Sequence, residues 1–193
     1  TKITVDVYGS LSLTGKGHHT DIAIIMGLAG NSPEKVDIDS IAGFIARVEE
    51  TERLPVGMHC HTVSFPKDGG MNFHTSNLEL HENGMQIHAW IDDEKAYSKT
   101  YYSIGGGFIV DEENFGKEEA NPVKVPFPFT SAEELVNQCQ ASGLSIGTLV
   151  MKNQAALHSD EESRMYFANI WKTMREGMER GMNTEGILPG PLR

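Results

Sequence analysis

Tyr8-Gly-Ser-Leu-Ser-Leu-Thr-Gly-Lys-Gly-His-His-Thr-Asp21 joins two segments of opposite character. Before it, Ile3, Val5 and Val7 alternate with polar residues at the period of a half-buried strand. After it, the apolar run Ile22 to Leu28 reads as a helix, with Thr20 as N-cap and Asp21 in its first turn. The stretch itself therefore reads as a polar, glycine-rich loop from strand to helix. Gly15 and Gly17 are free to take positive φ or to let a ligand approach the backbone, and Lys16 adds a cation beside a helix N-terminus that already favours anions. His18 is the first side chain past the turn able to move a proton near neutral pH. A carboxylate held by Lys16 and the helix end would lie within reach of that imidazole. An empty loop whose His18 merely bonds a nearby carbonyl is the competing reading. Gly17 follows Lys16 where a P-loop needs Ser or Thr, so nucleotide binding is not indicated.

Composition narrows the partners. A 193-residue chain that is 39% hydrophobic can bury a core in one ordinary domain and part of another. Sixteen basic against 27 acidic residues leave a net charge of −11, which opposes nucleic acid and anionic lipid and favours small molecules and proteins. No apolar run approaches the ~20 residues of a membrane span and no signal segment opens the chain, so a cytoplasmic protein is the expectation. Cys60 and Cys139 are too few for a disulfide framework or a self-contained iron–sulfur or cysteine-rich zinc site. The chain starts without Met inside a strand-like pattern and closes on Pro-Gly-Pro-Leu-Arg193. It reads as a piece of something longer, with an incomplete active site.

Outward from the opening stretch, Gly30 to Pro33 stops the first helix. Asp37 or Asp39 caps a second, with Ile41, Phe44, Ile45 and Val48 on its buried face and Leu54-Pro55 as its end. A strand from about Met58 to Phe65, a loop Pro66 to Gly70 and an irregular stretch to Leu80 follow. Met85 to Ile91 and Ala96 to Ile104 form a hairpin, entered through the turn Glu82-Asn83-Gly84. Gly105-Gly106-Gly107 marks a turn, a bulge or a place where something presses on the backbone, before Phe108 to Val110 resumes the strand. The expected fold class is α+β: a small mixed sheet with helices on one face (residues 1–110), an acidic and proline-rich linker (111–130), and a helical segment (131–193). In that segment Ser131 with Glu134 and Ser159 with Glu162 make capping boxes, Ser145 starts a helix between them, and Gly143 is a stop. Phe167, Trp171, Met174 and Met178 form one apolar seam that reads as core or inter-domain packing.

Eight histidines invite a metal hypothesis. In His59-Cys60-His61, however, alternate strand residues face opposite ways, so the three cannot chelate one ion, and exposed strand histidines are the better reading. No metal ligand is assigned. His81 sits on the turn at the mouth of the hairpin and is free to act, whereas His19, His74, His88 and His158 have no companions that argue for a role.

Three motifs in order, Tyr8 to Asp21, His81-Glu-Asn-Gly-Met85 and Tyr101-Tyr-Ser-Ile-Gly-Gly-Gly-Phe108, closely resemble the bacterial iron–sulfur L-serine dehydratases. The resemblance runs through Gly181 to Arg193, so it covers the family's β domain and the opening of its α domain, as in the single-chain form. It implies a lyase that turns L-serine into pyruvate and ammonia. It also implies a 4Fe–4S cluster held by three cysteines with one iron open to substrate, and a homodimeric full-length enzyme. It makes His18 the match to the catalytic base and places His81 and Asn83 at active-site positions. Lys16 and Gly17, with Ser103, Gly105 and Gly106, become candidates for contacting serine. Two family features are absent from these residues: the cluster cysteines, which neither Cys60 nor Cys139 matches, and the Ser-Ser-Ser-His-Thr segment that opens the β domain. The resemblance therefore implies that this piece alone is inactive. The β domain is also similar to the allosteric substrate-binding domain of certain phosphoglycerate dehydrogenases. The alternative is thus a serine-binding regulatory or interaction module without chemistry of its own, and a third reading is an independent histidine-rich metal protein.

Overall fold

The alternation of Ile3, Val5 and Val7 makes β1 (Lys2–Val7) the middle of a mixed sheet, with β2 (Arg53–Val56), β3 (His61–Ser64), β4 (Met71–Phe73), β5 (Gly84–Ile91), β6 (Glu94–Gly105) and β7 (Phe108–Asp111). The order is β2-β3-β1-β5-β6-β7, and β4 pairs with β1. The computed structural model describes residues 1–57, 61–117 and 123–187. Its two units are Thr1–Lys117 and Glu118–Arg193.

In the first unit the fold is α+β as expected, with helices α2 (Thr20–Leu28) and α3 (Ile38–Thr51). Ile24, Ile25 and Val48 from these helices meet Val5, Val7, Leu54, Val63 and Phe65 in the core. Asp37 caps α3 by accepting the Asp39 N–H at 3.1 Å, and β5 and β6 form the expected hairpin. Alternation sends Thr4 and Asp6 of β1 to the other side of the sheet, with Gln86, His88 and Trp90 of β5. One face of the sheet is therefore an apolar core and the other a polar array.

The structure corrects five local expectations. Tyr8 to Asp21 is not an open loop: it folds into a short helix α1 (Gly9–Leu13) and a 3-10 turn (Gly15–His18), so its polar residues are placed by helical geometry. The left-handed positions there are Gly9 (φ 56°) and His19 (φ 58°), not Gly15 or Gly17. His19, without a side-chain bond, is the N-cap of α2, and Thr20 is already inside the helix. Leu54-Pro55 does not end a helix: α3 stops at Thr51, where Glu52 turns left-handed, and Leu54-Pro55 lies in β2. Finally, the irregular stretch after Gly70 contains β4, three residues parallel to the second half of β1. Such a short strand shows no periodicity of its own and is recruited by the free edge of β1. Met58, His59 and Cys60 lie outside the described residues, as do Pro122 and the stretch 188–193.

The second unit comprises α4 (Ala132–Ser142), α5 (Ile146–Leu157) and α6 (Asp160–Asn183). Ser145 caps α5, Ser159 and Glu162 form the expected capping box of α6, and Gly143 closes α4 at φ 69°. At Ser131 only half the box forms, because the Glu134 carboxylate takes the Thr130 N–H at 2.7 Å while the Ser131 hydroxyl accepts the Glu134 N–H. The α6 seam is not core: Phe167, Trp171, Met174 and Met178 are all about half exposed, and Leu149 is the one fully buried apolar side chain among the unit's described residues. Helical periodicity reports an apolar stripe but not what covers it.

Candidate functional site

Strand pairing gathers the candidate residues at one end of the sheet. β1 ends there at Val7, β4 at Phe73 and β6 at Gly105, while β5 begins there at Gly84. The Tyr8 N–H donates to the Gly84 carbonyl at 2.9 Å, and the Ser103 N–H donates to the Asn83 carbonyl at 2.9 Å. Gly9 packs directly under the Glu82 carbonyl at φ +56°, which only glycine takes without strain. The opening stretch and the His81–Gly84 turn are thereby held together, although 71 residues lie between Gly9 and His81.

His18 is exposed and lies on the rim of a groove of about 630 Å³ that Ser103 also lines. The walls come from Leu11, Ile24, Met85, Ile87 and Ile109, so the groove is largely apolar. Lys16 is exposed, with Nζ 5.2 Å from the centre of the Phe73 ring, and Gly17 faces open space. The Asp21 carboxylate already accepts the Ile22 N–H at 2.9 Å, so the N-terminus of α2 carries its own anion. Gly105, Gly106 and Gly107 all have positive φ (98°, 62° and 83°), and Gly105 faces Phe108 across the β6–β7 pair. The two central residues at positive φ make the tight primed turn of a hairpin, which accounts for the glycines locally. His81 and Asn83 are half-buried, and the Asn83 N–H donates to His81 Nδ1 at 3.0 Å.

The expectation that His74 and His88 lack companions is overturned. On the polar face Asp6 receives three donors: His74 Nε2 at 2.7 Å and Asn72 Nδ2 at 3.2 Å on Oδ1, and His88 Nε2 at 3.1 Å on Oδ2. His74 stacks on Tyr8 with ring centres 4.7 Å apart, and Tyr8 in turn donates its hydroxyl to Gln86 at 3.0 Å. The signal was the polar half of the β1 alternation. Its partners were hidden because β4, which carries Asn72 and leads into His74, has no sequence signature.

His88 is buried, and burial is the main cause that moves its pKa below the ordinary value, with Lys95 adding to the shift and Asp6 opposing it. A neutral ring fits both of its bonds: Nε2–H donates to Asp6, and Nδ1 accepts the Ser98 hydroxyl at 2.8 Å. A depressed pKa in the folded state means that the unfolded chain binds this proton first as pH falls. The stabilisation from neutral His88 is therefore complete above about pH 6.5 and lost as pH drops through the lower folded value. Urea denaturation from about pH 4 to 8 should show that acid limb, and His88→Gln should flatten it. An unchanged slope in the variant would assign the limb to other groups.

The described residues do not fit a metal cluster. They contain no group of three or more His, Cys, Asp or Glu side chains able to hold an ion, and Cys139 is their one cysteine. No helix among them is long and apolar enough to cross a membrane.

A strand-to-helix turn rich in glycine and histidine, clasped to a His-Glu-Asn-Gly turn at one sheet end, places the chain in a known class: it belongs to the serine dehydratase beta chain family, which matches residues 1–114. Across all 193 residues it is 66% identical to L-serine dehydratase 1 and 61% identical to L-serine dehydratase 2 of Escherichia coli, covering 42% of each. It is also 53% identical to the L-serine dehydratase of Haemophilus influenzae over 195 aligned positions, covering all of this chain and 43% of that protein. The chain thus spans about two fifths of the length of these relatives.

Proposed function

We propose that this chain is the serine-binding, proton-abstracting part of an L-serine ammonia-lyase. The observation that carries the reading is the exposed imidazole of His18 on the rim of a groove shared with Ser103, whose N–H donates to the carbonyl of Asn83. In the reaction His18 takes the α-proton of L-serine as general base. The electron pair left on Cα forms the Cα=Cβ bond as the β-hydroxyl departs, and the resulting enamine, through its imine, is hydrolysed to pyruvate and ammonia. Lys16, Gly17, Ser103, Gly105 and Gly106 line the approach of the substrate, with Lys16 facing its carboxylate. Residues 1–110 form the substrate-side domain, 111–130 a linker and 131–193 the opening of a second domain.

The 4Fe–4S cluster that the family implies would take its ligands from outside these residues. The whole protein is proposed to be a cytoplasmic homodimer. A regulatory reading is favoured by one observation, the largely apolar lining of the groove, which suits a packed partner better than a small polar amino acid. Assaying pyruvate formation from L-serine separates the two, using the full-length protein purified without oxygen. Turnover by the full-length protein and none by the 193-residue chain is expected, and a full-length protein that binds serine without forming pyruvate would leave only the regulatory module.

A further inference from the structure

β4 is three residues long and needs more than its own ladder to stay against β1. Its register sets Asn72 opposite Asp6 on the polar side of the sheet and Phe73 opposite Val7 on the apolar side. Phe73 is the seat of the 3-10 turn that carries His18. A methyl group on buried Gly15 would come within 3.3 Å of Phe73 Cε1, and Lys16 Nζ lies over the same ring. His18 is the last residue of that turn, and its N–H donates to the Thr14 carbonyl at 3.2 Å.

The Asp6 carboxylate grips the two residues that flank Phe73. Its Oδ1 accepts from Asn72 Nδ2 and His74 Nε2, while Oδ2 accepts from His88 Nε2 on β5, at the other edge of β1. One group thus ties three adjacent strands together. The His74 ring also stacks on Tyr8, and the Tyr8 carbonyl accepts the Ser12 N–H at 3.3 Å, the first bond of α1. Further backbone bonds join Ser10 to Thr14 and Thr14 to His18. His18 is therefore supported twice, by Phe73 against its turn and by Tyr8 along the chain, and both supports lead back to Asp6. The carboxylate itself faces away from the groove, whose walls include Met85 and Ile87 on the apolar side of β5.

We propose that Asp6 is a positioning residue for the reaction: by fixing β4 and Tyr8 it sets the place of the His18 imidazole at the groove, and it touches neither substrate nor base. This rests on the serine-lyase reading above. Proton abstraction needs the reacting atoms about 3–3.5 Å apart and aligned, and a misplacement of about 1 Å can cost about a hundredfold. Asparagine at position 6 would keep an oxygen for Asn72 and His74. Its amide N–H would then meet His88, whose neutral ring can move its hydrogen to Nδ1, toward Ser98, and accept at Nε2. Alanine would keep none of these bonds.

The test is a cycle of variants in the full-length protein, with kcat for pyruvate formation from L-serine taken per folded molecule. Asp6→Ala should lower kcat about ten- to a hundredfold in the wild-type background. In a His18→Ala background, where no base remains to be placed, the same change should cost less than about threefold. Asp6→Asn should recover most of the loss. Equal costs in the two backgrounds would make Asp6 purely structural and overturn the proposal. Wild-type kcat in Asp6→Ala, or an asparagine variant as slow as the alanine one, would overturn it too. If Asp6→Ala does not fold, His74→Ala enters the same cycle with the same expectations: its side chain is 40% exposed, and its loss removes the stack on Tyr8 and a bond to Oδ1. The underlying reading fails separately, through a wild-type protein that forms no pyruvate or a His18→Ala variant with wild-type turnover, and the proposal falls with it.

Discussion

His18→Ala in the full-length protein is expected to lower kcat for pyruvate formation from L-serine by about 10² to 10⁴-fold, the usual contribution of a positioned general base. KM should change far less, because removing a group that acts on the α-proton takes away an interaction made mainly in the transition state. The ring is exposed at the groove rim and takes no part in the core, so the variant should keep the wild-type thermal midpoint. That combination distinguishes a base from a packing residue. A regulatory module predicts the reverse pattern, with turnover intact and only a response to serine lost. Activity within about threefold of wild type would remove His18 from the chemistry, since so small a change is under 1 kcal/mol of barrier.

Gly9→Ala is expected to be the most disruptive single methyl in the first unit. Its Cβ would overlap the Glu82 carbonyl oxygen and stand 2.5 Å from Asn77 Oδ1, on a backbone at φ +56° that alanine disfavours. The neighbour is backbone and cannot swing away as a side chain would. Either the turn carrying His81 and Asn83 moves off the end of β1, or α1 does. Overpacking and left-handed strain together suggest a loss of about 2–5 kcal/mol, read as a lower urea midpoint. Gly17→Ala is the control, because nothing lies within 4 Å of the site its Cβ would occupy. Equal stability of the two variants would mean that the contact between Gly9 and the His81–Gly84 turn does not hold this end of the sheet together.

The elements legible in the sequence were those that bury a face or close a cap by themselves. Met85 to Ile91 alternates because one side of β5 is core, and the pairs Ser159–Glu162 and Asp37–Asp39 satisfy helix ends locally. The loop reading of Tyr8 to Asp21 failed because glycine and polar content report freedom to turn, not the turn adopted. A related limit holds for His74 and His88: each looks solitary along the chain, and both meet Asp6 once the strands pair.

Residue order alone determined the family, the α+β class, the polar and apolar sides of β1 and the motifs that carry His18, His81 and Asn83, because these depend on neighbours a few positions apart. Tertiary structure alone decided that Gly9 seats the opening stretch against the His81–Gly84 turn, that Asp6 joins two imidazoles, and which nitrogen of His81 the Asn83 N–H occupies. Each of those follows from pairing register between distant strands and turns, where a shift of one residue would turn every side chain to the other face.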